Sequence, residues 1–151
     1  MQNESIAKCA RCNNVIIMCS TSGKIPTDAW NHFIKEFRTG EINKFLSLSI
    51  GMTDVNSTQR AEGVQIAKEK NCMVSVVTDE RLMRGLVTAA SWLGANVKAF
   101  SWEQLEDAVK HFSLSSALES RVLDTARALR RQCENELAKQ DGKRAVKAFA
   151  R

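Results

Sequence analysis

The chain has 151 residues, 44% of them hydrophobic, with 22 Lys and Arg against 17 Asp and Glu for a formal charge of +5. That size suits a single domain, and the one apolar run near the start, Val15 to Met18, is too short for a signal-peptide core or a membrane-spanning helix, so a cytoplasmic protein is expected. The charge is local: residues 114–151 hold nine basic and five acidic side chains and residues 1–113 hold thirteen and twelve, which reads first as a solvated basic helix face.

Glu4 to Arg11 and Val15 to Thr21 flank Cys12-Asn13-Asn14, a turn in which Asn tolerates left-handed geometry, so a β-hairpin is expected. Cys9-Ala-Arg-Cys12 has CxxC spacing. With no second CxxC and His32 and His111 both inside predicted helices, no metal site is expected, and the five cysteines, an odd number, fit a reducing compartment. Ile25-Pro26 leads into a helix capped by Thr27 or Asp28, with Trp30, Phe33, Ile34 and Phe37 on its inner stripe and Gly40 as its stop. His32 falls between stripe positions and reads as a surface residue.

Lys44 to Ile50 alternates as a strand does, and a polar loop, Gly51 to Thr58, feeds a helix from Thr58 to Lys70 capped by Asn56 or Ser57, with Ala61, Val64 and Ala67 apolar. Met73 to Val77 is a short β-branched strand. The next helix is capped by Thr78 or Asp79, carries Leu82, Met83, Leu86, Ala90 and Leu93 on its stripe, and stops at Gly94. Asn96 to Phe100 is then a parallel strand reached by a right-handed crossover. Ser101 with Gln104 forms a capping box for a helix whose inner side is Leu105, Ala108, Val109 and Phe112. Ser113 to Ala138 is one long helical pattern with a Ser116/Glu119 box and a stripe of Leu114, Leu118, Val122, Thr125, Leu129, Cys133 and Leu137. It either packs back across the domain or pairs with a second copy as a homodimer. The expected organisation is an α/β domain over 1–112 with an N-terminal hairpin and a mainly parallel sheet, a C-terminal helix over 113–140, and a basic tail over 141–151 that frays.

In a parallel sheet, the loops at Thr53 to Thr58, Thr78 to Arg84 and Phe100 to Trp102 share the carboxyl edge, where α/β proteins bind ligands. Thr53, Asp54, Ser57 and Thr58 are the partner or phosphorylation candidates, because a helix N-terminus favours added negative charge. Arg60, Thr78, Asp79, Arg81, Arg84 and Trp102 are the candidates for holding a ligand or anion. No Gly-rich phosphate loop, GxSxG, HExxH or carboxylate pair with a nearby base is present, so neither catalysis nor a cofactor is expected.

The stretch VSVVTDERLMRGLVTAASWLGANVKAFSWEQLEDAV and the loop TDVNSTQR resemble the STAS fold of anti-sigma-factor antagonists, in its divergent SpoIIAA-like branch adjoining the CRAL-TRIO lipid-transfer proteins. The similarity covers roughly residues 4–112: a strand, an Asp79-x-x-x-x-Arg84 helix, the aromatic Trp92, and a Lys98-x-Phe100 strand. The helix carrying Trp30 and Phe33 agrees with the divergent branch. The resemblance implies a non-enzymatic regulatory module whose loop serine or threonine is phosphorylated by a partner kinase, so a kinase or sensor protein is the expected partner. Here Val55-Asn56 separate Asp54 from Ser57 and the family's following Gly is missing. The alternatives are a carrier of a nucleotide or lipid at the same edge or in a pocket under Trp92 and Trp102, and, ranked lower, nucleic-acid binding through the basic tail.

Overall fold

The computed structural model describes residues 4–92 and 94–150, with Trp92 by its backbone alone. Leu93, expected on a helix stripe, lies outside the described residues. Five strands, β1 (Ala7–Cys12), β2 (Val15–Lys24), β3 (Lys44–Asp54), β4 (Met73–Val77) and β5 (Val97–Phe100), form one sheet in the order β1-β2-β3-β4-β5. β1 is antiparallel to β2 around a two-residue turn with Asn13 at φ 52°, and the other neighbours are parallel. An α/β fold with an N-terminal hairpin and a mostly parallel sheet is therefore present.

Strand order never reverses, so right-handed crossovers put α1 (Thr27–Arg38), α2 (Ser57–Glu69) and α3 (Arg81–Trp92) on one face. After β5 the chain passes a 3-10 turn (Trp102–Gln104) and covers the other face with α4 (Leu105–Lys110) and α5 (Ser116–Phe149). Period-two alternation feeds two cores. Ile16 and Met18 pack with Trp30, Phe33, Ile34, Phe37 and Ile66 under α1 and α2. Val15, Ile17, Cys19, Leu46, Leu48 and Val77 pack with Val109 and Phe112 of α4 and with Val122, Ala126, Leu129 and Cys133 of α5.

The stripes of α1, α4 and α5 lie where their spacing puts them, with Ala126 buried in α5 and Thr125 half-buried beside it. The long helix packs back on the sheet. Its cap is Ser115, whose side chain accepts from the Leu118 amide, and it continues to Phe149 through the stretch expected to fray. Two stripes differ from expectation. In α3, Leu82 and Leu86 are 66% and 64% exposed, and Met83, Val87 and Ala90 are the half-buried apolar positions. In α2, Val64 is exposed at 48% and Ala61 also faces solvent, while Ile66 and Gln59 are buried. The contact with α1 decides this: Trp30 sits against Gly63, where a Cβ would lie 3.5 Å from its ring, and Trp30 Nε1 donates to Glu62 Oε1 at 2.8 Å.

The cap of α1 differs too. Pro26 occupies the N-cap position and neither Thr27 nor Asp28 supplies a side-chain cap. The CxxC lies in a strand, where residues three apart point to opposite faces. Cys12 accordingly faces α5, with Sγ 3.4 Å from Thr125 Oγ1, and Cys9 faces a hollow beside α1. Facing opposite sides of the sheet, the two thiols cannot ligate one metal ion or close a disulfide with each other.

Candidate functional site

β3 continues to Asp54 and takes up much of the polar stretch expected to be loop. Its last residues pair only with β2, through a register shift between Thr21 and Gly23. Gly51 makes this possible: at φ 84°, a Cβ there would lie 2.0 Å from Ser22 Oγ, the oxygen that accepts the Met52 amide at 3.1 Å. The outcome for Thr53 is a structural role. It is half-buried in the strand, its Oγ1 donates to the Thr21 carbonyl at 3.0 Å, and Ser20 Oγ lies 3.0 Å away.

Asp54 is exposed at the strand end, and the chain turns through Val55 into α2. Asn56 alone caps that helix: its side chain accepts from the Gln59 amide at 2.8 Å, and Gln59 Oε1 accepts from the Asn56 amide at 3.2 Å. Because Asn56 takes the cap, Ser57 and Thr58 occupy the first two helical positions with their side chains in solvent. Arg60, also exposed, reaches back over the same turn, Nη2 donating to the Val55 carbonyl at 3.1 Å.

The second half of the edge is a clamp. Thr78 is fully buried and its Oγ1 accepts from the Glu80 amide at 3.1 Å, closing a turn ahead of α3 rather than capping the helix, which starts at Arg81. Asp79 does not cap that helix: its carboxylate accepts from the Trp102 amide at 3.0 Å, tying the β4 end to the β5 end. The Trp102 indole Nε1 donates to the Ser49 carbonyl at 2.9 Å, satisfying part of the unpaired side of β3, and the Arg130 guanidinium stacks over the ring at 4.1 Å from its centroid. Arg81 is exposed and Arg84 half-buried on α3, and neither forms a salt bridge among the described residues. Ser20, Ser49 and Arg130 were not foreseen. Nothing in the sequence near Trp102 points to a residue 28 positions later on another helix.

The edge thus divides into an engaged half, Thr78, Asp79 and Trp102, and a free half, Asp54, Ser57, Thr58 and Arg60. Trp102 spans a strand-to-strand junction rather than roofing a pocket, and the Trp92 side chain lies outside the described residues. Two hollows mark the surface elsewhere: one of about 320 Å³ beside β1, and one of about 470 Å³ lined by Arg11, Asn13, Asn14, Gly40, Glu41 and Asn43 at the opposite end of the sheet.

The groups with displaced pKa values are also elsewhere. Burial pushes the Cys72 thiol up to about 11, and a hydrogen bond with Cys133 together with burial raises Cys19 further. His111, at the C-cap of α4, lies near Phe100 and Phe112 with a buried Nε2 that has no hydrogen-bond partner among the described residues. Burial, and then the Lys98 charge, hold its pKa below the ordinary 6.5. The unfolded chain therefore takes up this proton first as pH falls, and the stability His111 contributes is present above 6.5 and lost below it. Urea titrations should show the wild type losing stability relative to His111→Gln as pH drops through that range. A difference independent of pH would show that the imidazole is not held neutral.

No family model matches the chain, and no curated protein matches it.

Proposed function

We propose that the chain is a non-enzymatic, STAS-like regulatory module that binds a protein partner through the β3–α2 edge and is switched by phosphorylation of Ser57 or Thr58. The observation that carries this reading is the division of labour at the α2 N-terminus. Asn56 supplies the cap, so the hydroxyls of Ser57 and Thr58 are left in solvent. A phosphate there would gain the helix dipole and the nearby Arg60 guanidinium, and would bring close to two negative charges onto the surface.

The surroundings suit a contact. Met52, 43% exposed, precedes the switch on β3, and Val64 lies seven residues after Ser57 on the same side of α2. The resemblance supplies the class of partner, a kinase or a sensor protein. The test is affinity capture from native lysate, followed by titration of the recovered partner against wild type, Ser57→Ala and Ser57→Asp. Ser57→Ala should bind as wild type does, and Ser57→Asp should change affinity by at least about tenfold. An unchanged affinity for Ser57→Asp and Thr58→Asp would refute the switch.

A further inference from the structure

The free edge of β1 carries an inference independent of the α2 switch. β1 is the first strand of the sheet, and its inward hydrogen bonds are fixed by register. The Thr21 amide donates to the Ile6 carbonyl, so Ile6, Lys8, Ala10 and Cys12 are the positions bonded to β2. The amides and carbonyls of Ala7, Cys9 and Arg11 consequently point away from the sheet. None has a backbone or side-chain partner among the described residues. These residues are half-buried or exposed, and the hollow of about 320 Å³ runs beside them, between Ala29 and His32 of α1 and Leu129 and Gln132 of α5.

We propose that this edge is an interface in which β1 pairs antiparallel with β1 of a second copy, across a two-fold axis at Cys9. An antiparallel strand edge complements itself under such an axis. Centring on Cys9 sets Ala7 opposite Arg11 and Lys8 opposite Ala10 of the other copy. All three outward amides of each chain then find carbonyls, for six hydrogen bonds.

The charges select this register. Moving the axis to Lys8 would place two lysines directly opposite, and moving it to Arg11 would place two arginines opposite. Centring on Ala10 leaves the Ala7 amide unpaired. With the axis at Cys9, each charged residue meets an alanine. The joined sheets would have ten strands, five from each copy. The two α5 helices, each bound over its own β1 by the Lys8–Glu136 ion pair, would run beside each other.

Cys9 makes the proposal testable, because it is the one cysteine that is not buried and its amide points outward. Light scattering should give twice the monomer mass. Cys9→Pro removes an outward N–H, which an edge strand tolerates, and replaces a half-buried thiol at the margin of the α1 core with a ring. It should leave a folded monomer, with association weakened by roughly a hundredfold. A short bis-maleimide should join two wild-type chains through Cys9, and Cys9→Ser should abolish the cross-link. A monomeric wild type, a folded Cys9→Pro that remains dimeric, or a dimer without a Cys9 cross-link would each overturn the proposal. If Cys9→Pro fails to fold, the cross-link decides the question.

Discussion

Removing residues 114–151 is expected to leave a chain without cooperative unfolding, even though 1–113 contains every strand and four of the five helices. Val122, Ala126 and Cys133 are fully buried and Leu129 is 6% exposed, all against Val15, Ile17, Cys19, Leu46 and Leu48. Leu114, Leu118, Leu123 and Leu137 pack on the same cluster. Burying a Val or Leu side chain is worth about 1.5–3 kcal/mol, and deletion also uncovers the facing sheet. The combined loss reaches the ~5–15 kcal/mol that holds an ordinary domain together. Ending the chain after Ala138 should behave differently. The described residues beyond it are all exposed, so its denaturation midpoint should stay near that of the full chain. Circular dichroism and urea unfolding of the two truncations make the comparison. A cooperative transition in 1–113 would show that α5 is dispensable to the core.

Phe33→Ala should be the most damaging single substitution on the other face, costing about 3–5 kcal/mol. Phe33 is 1% exposed, and its ring centroid lies 5.4 Å from Trp30, 5.5 Å from Phe37 and 5.0 Å from Phe45. Truncation therefore leaves a cavity and also removes three aromatic contacts, each worth about 0.5–1.5 kcal/mol beyond area burial. Phe149→Ala is the control: that side chain is 94% exposed and its loss should leave stability within about 0.5 kcal/mol of wild type. Urea midpoints at constant m-value measure both. A cost for Phe33→Ala no greater than that for Phe149→Ala would mean the aromatic cluster does not hold α1 to the sheet.

Local pattern was enough for much of the fold. The stripe from Trp30 to Phe37, the hairpin around Asn13-Asn14, and the β4 to α4 succession were legible because each depends on spacing within a few turns or on one turn residue. Ambiguity arose where apolar residues occupy most of a helix circumference. In α3, Leu82, Met83, Leu86, Val87, Ala89 and Ala90 make two overlapping stripes about 100° apart. Periodicity cannot choose between them. The position of the helix at the sheet margin puts Met83, Val87 and Ala90 inward and leaves Leu82 and Leu86 in solvent.

The candidate edge shows the same division. That Asp54, Ser57, Thr58, Thr78, Asp79 and Trp102 share one end of the sheet follows from a parallel α/β alternation, which is legible in the order of strand and helix patterns alone. Tertiary structure decided which of them are free. Thr53 is consumed by Thr21 and Ser20, Asp79 by the Trp102 amide, and Trp102 by Ser49 and Arg130, and every one of those partners lies more than 20 residues away. The difference is one of range. Caps and stripes are set by neighbours within one or two helical turns, whereas a hydrogen bond between strand ends exists only after the sheet has set its register.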